Sequence, residues 1–366
     1  MRAPEPLETL LKRLSVDKSD NILSALKKMD QLGIKLLIVN DNGSFKSLLS
    51  IGDIQRAIVR GVKLQEKIGG ILREKVTVCF EYQSEDDIRQ SMIHHRAEFM
   101  PVLNEEKGIS RIVFWNDIIQ DRSIHEMSGI DLPVVIMAGG RGTRLKPLTN
   151  IIPKPLIPIG EKSIIEMIFD SFKKFGMREF HLIVNYKAAM IENYISEIPD
   201  RDYHVNIVKE DVEYGTGGSL SMLKGVIDRT FFMTNCDTLL DQDFSEVYNF
   251  HKENNNELTI IGALKHYDIP YGKLEFHNGG QLLEITEKPE LTLTVNSGTY
   301  ILEPHLLNEI PEKEFFHITE LITKISKRNG NVGVFPVSEM SWLDIGEWKE
   351  FKKTQDFLAN RQHNLG

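Results

Sequence analysis

The sequence predicts an α/β protein in which a doubly wound mixed sheet, beginning near Pro133, follows a smaller α+β unit. The first third of the chain contains a degenerate internal repeat of about 64 residues. Beyond it, buried-strand runs alternate with helical patterns, as in sheets that carry helices on both faces. A glycine-rich loop directly follows the first of these strands, at the edge where such sheets bind ligands.

The bulk composition is that of an ordinary globular chain. Its 366 residues predict two or three domains, because a single hydrophobic core stops growing before this length. The net charge of −9 argues against a nucleic-acid-binding surface, which is normally basic. A basic cluster inside the glycine-rich stretch instead favours small phosphorylated ligands. It comprises Arg141, Arg144, Lys146 and Lys154.

Three features predict a cytoplasmic protein with no membrane partner. The stretch 1–14 mixes acids and bases and lacks the apolar core of a secretion signal. No apolar run approaches the ~20 residues that a membrane-spanning helix needs. Cys79 and Cys236 lie far apart, which argues against zinc and disulfides and fits a reducing compartment. The oligomeric state stays open, with a homo-oligomer among the alternatives.

Both copies of the repeat predict the same order of elements: helix, strand, turn, strand, helix. The first copy contains, in order, a helix from Ser19, a strand at 36–39, a turn at 41–43, a strand at 47–51 and a helix from Asp53. The second contains a helix from Ser84, a strand at 99–103, a turn at 104–108, a strand at 110–114 and a helix from Asp117.

The motif Ser50-Ile51-Gly52-Asp53-Ile54 resembles CBS domains, which usually occur as pairs. The resemblance implies a pseudo-symmetric α+β pair. We therefore expect three segments, which are a CBS pair at 1–122 with repeats at about 8–65 and 68–122, a linker at 123–132 and a second domain at 133–366.

The same resemblance implies a cleft for an adenine or guanine nucleotide, with Ser50 on phosphate and Asp53 on ribose hydroxyls. The second copy keeps Asp117 but has Phe114 where the hydroxyl should be. We therefore expect one competent and one damaged site. The alternative is a module that only packs or dimerises.

The second domain is predicted from alternating strands and helices. The expected elements are a strand at 134–138, a helix at 164–174, a strand at 180–184, a helix at 188–198, and strands at 205–208 and 230–233. This order predicts strands that are largely parallel, with ligands beyond their carboxyl ends.

The glycine-rich stretch runs from Met137 to Thr149 and is followed by Pro153-Lys154-Pro155. It lacks the Gly-Lys-Ser/Thr of a P-loop, and Leu145 stands where a dinucleotide fingerprint needs its third glycine. Glycines here let backbone N–H groups approach phosphate oxygens, with Arg144 and Lys154 supplying mobile positive charge. The flanking prolines predict an extended segment at Lys154.

This stretch resembles the signature of sugar-phosphate nucleotidyltransferases, whose catalytic fold is a Rossmann-like sheet. Further motifs of that family follow in order along residues 133–355. They are Tyr214-Gly215-Thr216-Gly217-Gly218, Thr234-Asn235-Cys236-Asp237, Glu287-Lys288-Pro289, Asn296-Ser297-Gly298 and Trp342-Leu343-Asp344-Ile345-Gly346. Taken alone, several would be ordinary turn or capping residues. Their order supports the resemblance.

The resemblance implies a role for each matched residue. Nucleotide-binding roles go to Ala138, Gly139, Gly140, Gly142, Thr143, Gly215, Thr216 and Gly217. Sugar-phosphate roles go to Glu287, Lys288, Asn296 and Gly298, and Mg²⁺ roles to Asp237 and Asp344. Arg144 and Lys154 are the implied catalytic residues, on the pyrophosphate and the α-phosphate. Phosphoryl transfer needs positioning and charge neutralisation, so no side-chain nucleophile is expected.

The implied activity is Mg²⁺-dependent transfer of a nucleoside monophosphate from a nucleoside triphosphate to a sugar 1-phosphate. A CBS pair ahead of this domain resembles the guanylyltransferases of bacterial legionaminic-acid pathways, which implies GTP and glucosamine-1-phosphate. The alternatives are a mannose- or heptose-1-phosphate guanylyltransferase, a uridylyltransferase, and a catalytically inactive regulatory subunit. Two departures from the family pattern are Cys236 in place of glycine and Gly217 in place of alanine. Neither removes a charged group.

Overall fold

The computed structural model describes residues 6–73, 75–95, 99–114 and 129–363. The chain divides into two compact units, Met1–Ile124 and His125–Gly366, which are described separately. Among the described residues, no helix is long and apolar enough to cross a membrane.

The first unit contains two three-stranded sheets. The strands of the first sheet are β1 (Ser15–Asp17), β2 (Leu36–Asp41) and β3 (Ser44–Ser50). Those of the second are β4 (Cys79–Phe80), β5 (Phe99–Leu103) and β6 (Ile109–Phe114). In each sheet the first strand is parallel to the second and the second is antiparallel to the third. The internal repeat is therefore visible as two sheets of the same topology.

The described helices of this unit accompany the repeats. They span Leu7–Leu14, Ile22–Leu32, Ile51–Val59 and Glu85–His95. Local sequence explains their ends, because the Asn21 side chain accepts from the Ser24 N–H and Gly33 closes the same helix at φ +64°. The helix predicted to begin at Asp117 lies outside the described residues.

The core of the first unit draws on both repeats. Ile38 and Leu48 of the first sheet and Phe99 of the second belong to one buried cluster, together with Leu14. Helix Glu85–His95 contributes Ile88 and Met92 to a second cluster. The first cluster therefore joins the two repeats, whereas the second cluster lies within the second repeat.

The second unit is built on a seven-stranded mixed sheet. Its strands are β7 (Val134–Met137), β10 (Glu179–Val184), β11 (His204–Lys209), β12 (Phe231–Asn235), β14 (Leu258–Asp268), β17 (Glu290–Leu302) and β18 (Val332–Ser338). Their order across the sheet is β11-β10-β7-β12-β17-β14-β18. β17 runs antiparallel to both of its neighbours, and the other adjacent pairs are parallel. The sheet is mixed, as the predicted fold class requires.

Helices cover both faces of this sheet. The longer ones span Ile164–Lys173, Ala188–Glu197, Phe244–Glu253, Ile318–Lys327 and Trp348–His363. Val134 and Ile136 of β7 belong to one core cluster and Val135 to the other, because side chains alternate along a strand. The first cluster includes helix Ile164–Lys173 and the second includes helix Ile318–Lys327, so the sheet is doubly wound.

Three small strand pairs complete the unit. They are β8 (Pro158–Ile159) with β9 (Lys162–Ser163), β13 (Thr238–Leu240) with β19 (Trp342–Asp344), and β15 (Lys273–Phe276) with β16 (Leu282–Thr286). The third pair is a hairpin between β14 and β17. The second pair joins two distant parts of the chain beside the carboxyl end of β12.

Candidate functional site

The glycine loop begins where β7 ends at Met137. Ala138 is buried and its N–H donates to the Ile183 carbonyl, which anchors the loop to β10. Gly142 adopts φ +60°, and a Cβ added there would lie 2.8 Å from Thr149 Cγ2. The Thr149 hydroxyl donates to the Gly142 carbonyl over 2.9 Å. The loop therefore needs glycine at 142. At Gly140, in contrast, an added Cβ would have no neighbouring atom within 4 Å.

Two cations lie beside this loop in different environments. The Lys154 side chain is 7% exposed, and its Nζ lies 2.7 Å from Asp237 Oδ2. The Arg144 side chain is mostly exposed, with contacts of 3.9 Å to Asp237 and 3.2 Å to Glu347. Lys154 opens a 3₁₀ turn after an extended Pro153. The prediction of an extended segment at Lys154 is thus wrong, because the chain turns there and the lysine is buried against a carboxylate.

Asp237 and Asp344 are brought together by the pairing of β13 with β19. Thr238 is opposite Asp344 in this antiparallel ladder, and the Ile345 N–H donates to the Asp237 carbonyl over 2.8 Å. Burial, with a contribution from the charge of Asp237, raises the pKa of Asp344. The Gly346 N–H donates to Asp344 Oδ1 over 2.6 Å.

This pair of carboxylates fits Mg²⁺. Hard oxygen ligands are what Mg²⁺ takes, and it is usually held by one or two carboxylates together with water and substrate phosphates. Burial is the main cause of the raised pKa of Asp344, and the charge of Asp237 adds to it, so a cation bound here would stabilise the ionised carboxylate. Asp237 and Asp344 are therefore the residues that would hold the ion, and it would supply charge neutralisation to bound phosphates.

These groups converge on a cleft of about 330 Å³ at the carboxyl ends of the parallel strands. Many sequence-predicted residues line it, namely Gly139, Gly140, Gly142, Thr143, Arg144, Lys154, Gly215, Thr216 and Asp237. Residues that the sequence did not single out as ligands line it too, including Glu210, Glu213, Ser219 and Phe315. Asp344 adjoins the cleft through Gly346.

Glu210 is the functional candidate that sequence reasoning missed. It directly follows β11, and a Cβ added at Gly139 would lie 2.6 Å from its Oε2. The Ser219 hydroxyl donates to its other oxygen, Oε1. Burial raises the pKa of Glu210. Its position at the end of a parallel strand was the available signal, since ligands of α/β sheets bind at that edge.

The second glycine segment, Gly215–Gly218, forms a single helical turn packed against residues 314–318. The N–H groups of Gly217 and Gly218 both donate to the Phe316 carbonyl, over 2.9 and 2.8 Å. A Cβ added at Gly217 would lie 2.8 Å from the His317 carbonyl carbon and the Ile318 nitrogen. This contact explains why glycine stands where the family pattern has alanine.

Cys236, the other departure from the family pattern, is buried beside Asp237. Burial raises the pKa of its thiol to about 12, so the thiol stays protonated at neutral pH. The side chain therefore adds no nucleophile and no charge to the site.

The predicted sugar-phosphate residues fall in two places. The Gly298 N–H donates to Asn296 Oδ1 over 3.0 Å, and a Cβ added at Gly298 would lie 2.5 Å from Asn235 Nδ2. These residues therefore adjoin the cleft through Asn235, which lines it. Glu287 and Lys288 are exposed at the end of the β15–β16 hairpin, and neither is among the described residues that line the cleft.

In the first unit, Ser50 and Asp53 bind each other. They form a capping box at the start of helix Ile51–Val59, with Ser50 Oγ 2.7 Å from Asp53 Oδ2. Asp53 is buried and also accepts from Arg73 over 2.6 Å and from Arg56 over 2.7 Å. Burial alone would raise the pKa of Asp53, but bonds from Arg73 and Ser50 lower it below its usual value. Asp117 lies outside the described residues.

Two family models match parts of the chain. Residues 133–361 match the family model described as Nucleotidyl transferase, and residues 10–60 match the CBS domain model. The chain is 31% identical over 225 residues to the mannose-1-phosphate guanyltransferase of Yarrowia lipolytica, covering 59% of this chain and 61% of that protein. It is 29% identical over 246 residues to the mannose-1-phosphate guanylyltransferase catalytic subunit beta of Dictyostelium discoideum, covering 63% and 65%. The chain thus spans less than two thirds of the length of these relatives.

Among solved structures, a Bacillus anthracis protein named as a glucose-1-phosphate thymidylyltransferase has a TM-score of 0.51 at 18% identity, covering 62% of this chain and 94% of that chain. HddC from Yersinia pseudotuberculosis has a TM-score of 0.48 at 28% identity, covering 62% and 99%. The likeness to the Bacillus anthracis protein supports the fold alone.

Proposed function

Because the chain belongs to the nucleotidyl transferase family through residues 133–361, we propose that it transfers a guanylyl group from GTP to a sugar 1-phosphate and releases pyrophosphate. The main observation behind this proposal is that four charged residues lie together beside the glycine loop, namely Lys154, Arg144, Asp237 and Asp344. Two cations and two carboxylates beside a glycine loop are the parts that phosphoryl transfer requires.

The proposed reaction is an in-line displacement. A phosphate oxygen of the sugar 1-phosphate attacks the α-phosphorus of GTP, and the bond to pyrophosphate breaks on the opposite side. Lys154 would hold the α-phosphate and Arg144 the leaving pyrophosphate, with Asp237 and Asp344 holding Mg²⁺. The exposed Arg144 is free to follow the pyrophosphate as it leaves. The catalytic contribution is charge stabilisation and positioning.

Guanine is favoured by the chemistry of Glu210. Guanine presents two adjacent N–H donors, N1–H and the N2 amino group, and a carboxylate accepts such a pair in a bidentate manner. Adenine lacks the N1–H donor, and uracil offers a single ring N–H on the corresponding edge. A base without this pair of donors would leave the half-buried Glu210 carboxylate with fewer hydrogen bonds, which discriminates against the wrong base. The guanylyltransferase names of the relatives support the same choice.

For the sugar, we propose glucosamine-1-phosphate, from the likeness of the CBS-linked architecture to legionaminic-acid guanylyltransferases. Mannose-1-phosphate is the second candidate, because the similar curated proteins are named for it. The product-mass assay described below would also detect transfer to a heptose phosphate or a uridylyltransferase activity. An inactive regulatory subunit is disfavoured, since the implied cationic and metal-binding residues are all present.

A product-mass assay tests the proposal. The full chain is incubated with Mg²⁺, one of GTP, UTP, CTP, dTTP or ATP, and one of several sugar 1-phosphates, with Asp237→Asn as the control. We expect the GDP-sugar mass and pyrophosphate with GTP, and about two to three decades less turnover in Asp237→Asn. A preference for UTP over GTP would overturn the guanylyl assignment. Parent-level turnover in Asp237→Asn would overturn the metal assignment.

We also propose that the enzyme is cytoplasmic. For the first unit we propose that a nucleotide binds to the CBS pair beside Ser50 and Asp53. Arg73 and Arg56, which already contact Asp53, would be available to a phosphate group. Regulation additionally requires that the ligand favour one state of the catalytic unit. Calorimetry of the full chain with AMP tests binding. Heat that saturates in the parent and vanishes in Asp53→Ala would support the site, and no heat in the parent would leave a packing module.

A further inference from the structure

The cleft has two chemically different parts joined by the glycine loop. Lys154 and Arg144 both contact Asp237 in one part, where Gly142 packs against Lys154. In the other part Gly139 packs against Glu210, which Ser219 contacts. A triphosphate is repelled by carboxylates and attracted to the cations and a carboxylate-bound Mg²⁺. The nucleobase is therefore left for the part that contains Glu210.

Phe315 lines this second part with an exposed ring. Its side chain is 61% exposed, although it belongs to the wall of the cleft. A Cβ added at Gly215 would lie 3.5 Å from Phe315 Cε2. The ring makes an edge contact with the His317 ring, at a centroid distance of 4.8 Å and an interplanar angle of 84°. An edge contact leaves ring face available for a flat ligand.

The backbone around Phe315 is pinned to the glycine turn. The Phe316 N–H donates to the Tyr214 carbonyl over 2.9 Å, and the Phe316 carbonyl accepts from Gly217 and Gly218. The Ile318 N–H donates to the Thr216 hydroxyl over 3.3 Å. The backbone that carries the exposed Phe315 ring is thus held in place beside the cleft. A ring on a fixed backbone loses less conformational entropy when a base stacks on it than a ring on a mobile one.

We propose that Phe315 is the stacking platform for the nucleobase and that it strengthens the preference for purine nucleotides. The inference rests on the proposed nucleotidyl transfer and adds a binding residue to it. Glu210 reads the donors on the edge of the base, and Phe315 supports its face. Purines have the larger π-surface, so they gain more from this contact than pyrimidines.

The test uses the full chain with Mg²⁺ and measures GTP and UTP binding by calorimetry, without sugar phosphate. Base–aromatic stacking is worth about 1–3 kcal/mol, so Phe315→Ala should weaken GTP binding by about 5- to 150-fold. Phe315→Trp and Phe315→Tyr should retain it, and Phe315→Leu should fall between. The matched control is Phe276→Ala, which removes a ring that is 67% exposed on the hairpin and should leave binding unchanged.

Turnover separates the two proposals. In Phe315→Ala the KM for GTP should rise by about the same factor as the dissociation constant, with kcat within about threefold, because the ring does not touch the phosphates. GTP binding within twofold of the parent would overturn the stacking role. A loss in Phe315→Ala that Phe315→Trp and Phe315→Tyr fail to restore would also overturn it. A parent that binds GTP but transfers no guanylyl group would refute the proposed function while leaving the stacking result readable.

Discussion

The ion pair between Lys154 and Asp237 should stabilise the metal-free protein as well as serve the reaction. Its atoms are 2.7 Å apart, with the lysine side chain 7% exposed and the aspartate 22%. Lys154→Met keeps the length of the side chain and removes its charge. In this variant Asp237 would lie beside Asp344 without the positive charge of Lys154, which is its closest counter-charge.

The size of the effect follows from this burial. Breaking a fully buried ion pair by removing one partner costs about 3–5 kcal/mol. Water reaches Asp237 and screens part of the remaining charge, so we expect about 1–3 kcal/mol for Lys154→Met. Asp237→Asn should cost a similar amount, because it strands a buried lysine. The double variant should lose about as much as either single variant, giving a coupling energy of about 1–3 kcal/mol.

Urea unfolding in EDTA measures these free energies. Trp342 and Trp348 report on the second unit by fluorescence, in a Trp115→Phe background that removes the tryptophan of the first unit. The matched control is Lys162→Met, whose exposed lysine lies 2.5 Å from Asp170 and should contribute at most about 0.5 kcal/mol.

Activity should not follow stability in this cycle. The double variant should remain at least two decades below the parent in pyrophosphate release, because both charges act on the bound phosphates. A coupling energy below about 0.5 kcal/mol would refute the electrostatic reasoning. So would a Lys154→Met protein as stable as the parent.

Three further changes have expected outcomes. Burial and the charge of Asp237 raise the pKa of Asp344, so the contribution of Asp344 to the stability of the metal-free parent should be lost as pH rises through that raised pKa. Asp344→Asn should remove this contribution to the pH dependence of the thermal midpoint in EDTA, and an unchanged pH profile would contradict this. The same variant should lose about two to three decades of Mg²⁺-dependent turnover. Gly217→Ala should destabilise the second unit by about 1–3 kcal/mol by overpacking and should raise the KM for GTP; an unaltered thermal midpoint would show that the turn relaxes freely. Asp53→Ala should destabilise helix Ile51–Val59 by about 1–3 kcal/mol through the lost capping box and arginine contacts, measured by amide hydrogen exchange, and parent-like protection would count against this.

Local sequence determined most of the elements. Helix Ile164–Lys173 starts at the predicted residue, where Ser163 and Glu166 form a capping box, and it ends one residue before the predicted end at 174. β5 coincides with the predicted strand at 99–103, and β10 begins one residue before the predicted one at 180–184. Such elements are predictable because periodicity, capping residues and glycine positions act within a few residues of each other. The glycine loop after β7 was predictable for the same reason.

The tertiary structure decided which of these elements meet. Asp237 and Asp344 become neighbours only because β13 pairs with β19, and neither strand is long enough to be predicted from its pattern. The burial of Lys154 against Asp237 and the approach of Glu210 to Gly139 likewise join distant segments. Local patterns record how a segment is buried and where it turns, whereas the register between remote segments is set by the packing of the whole sheet. The charges of the site could therefore be read from the sequence, but their distances, their burial and the place of Phe315 could not.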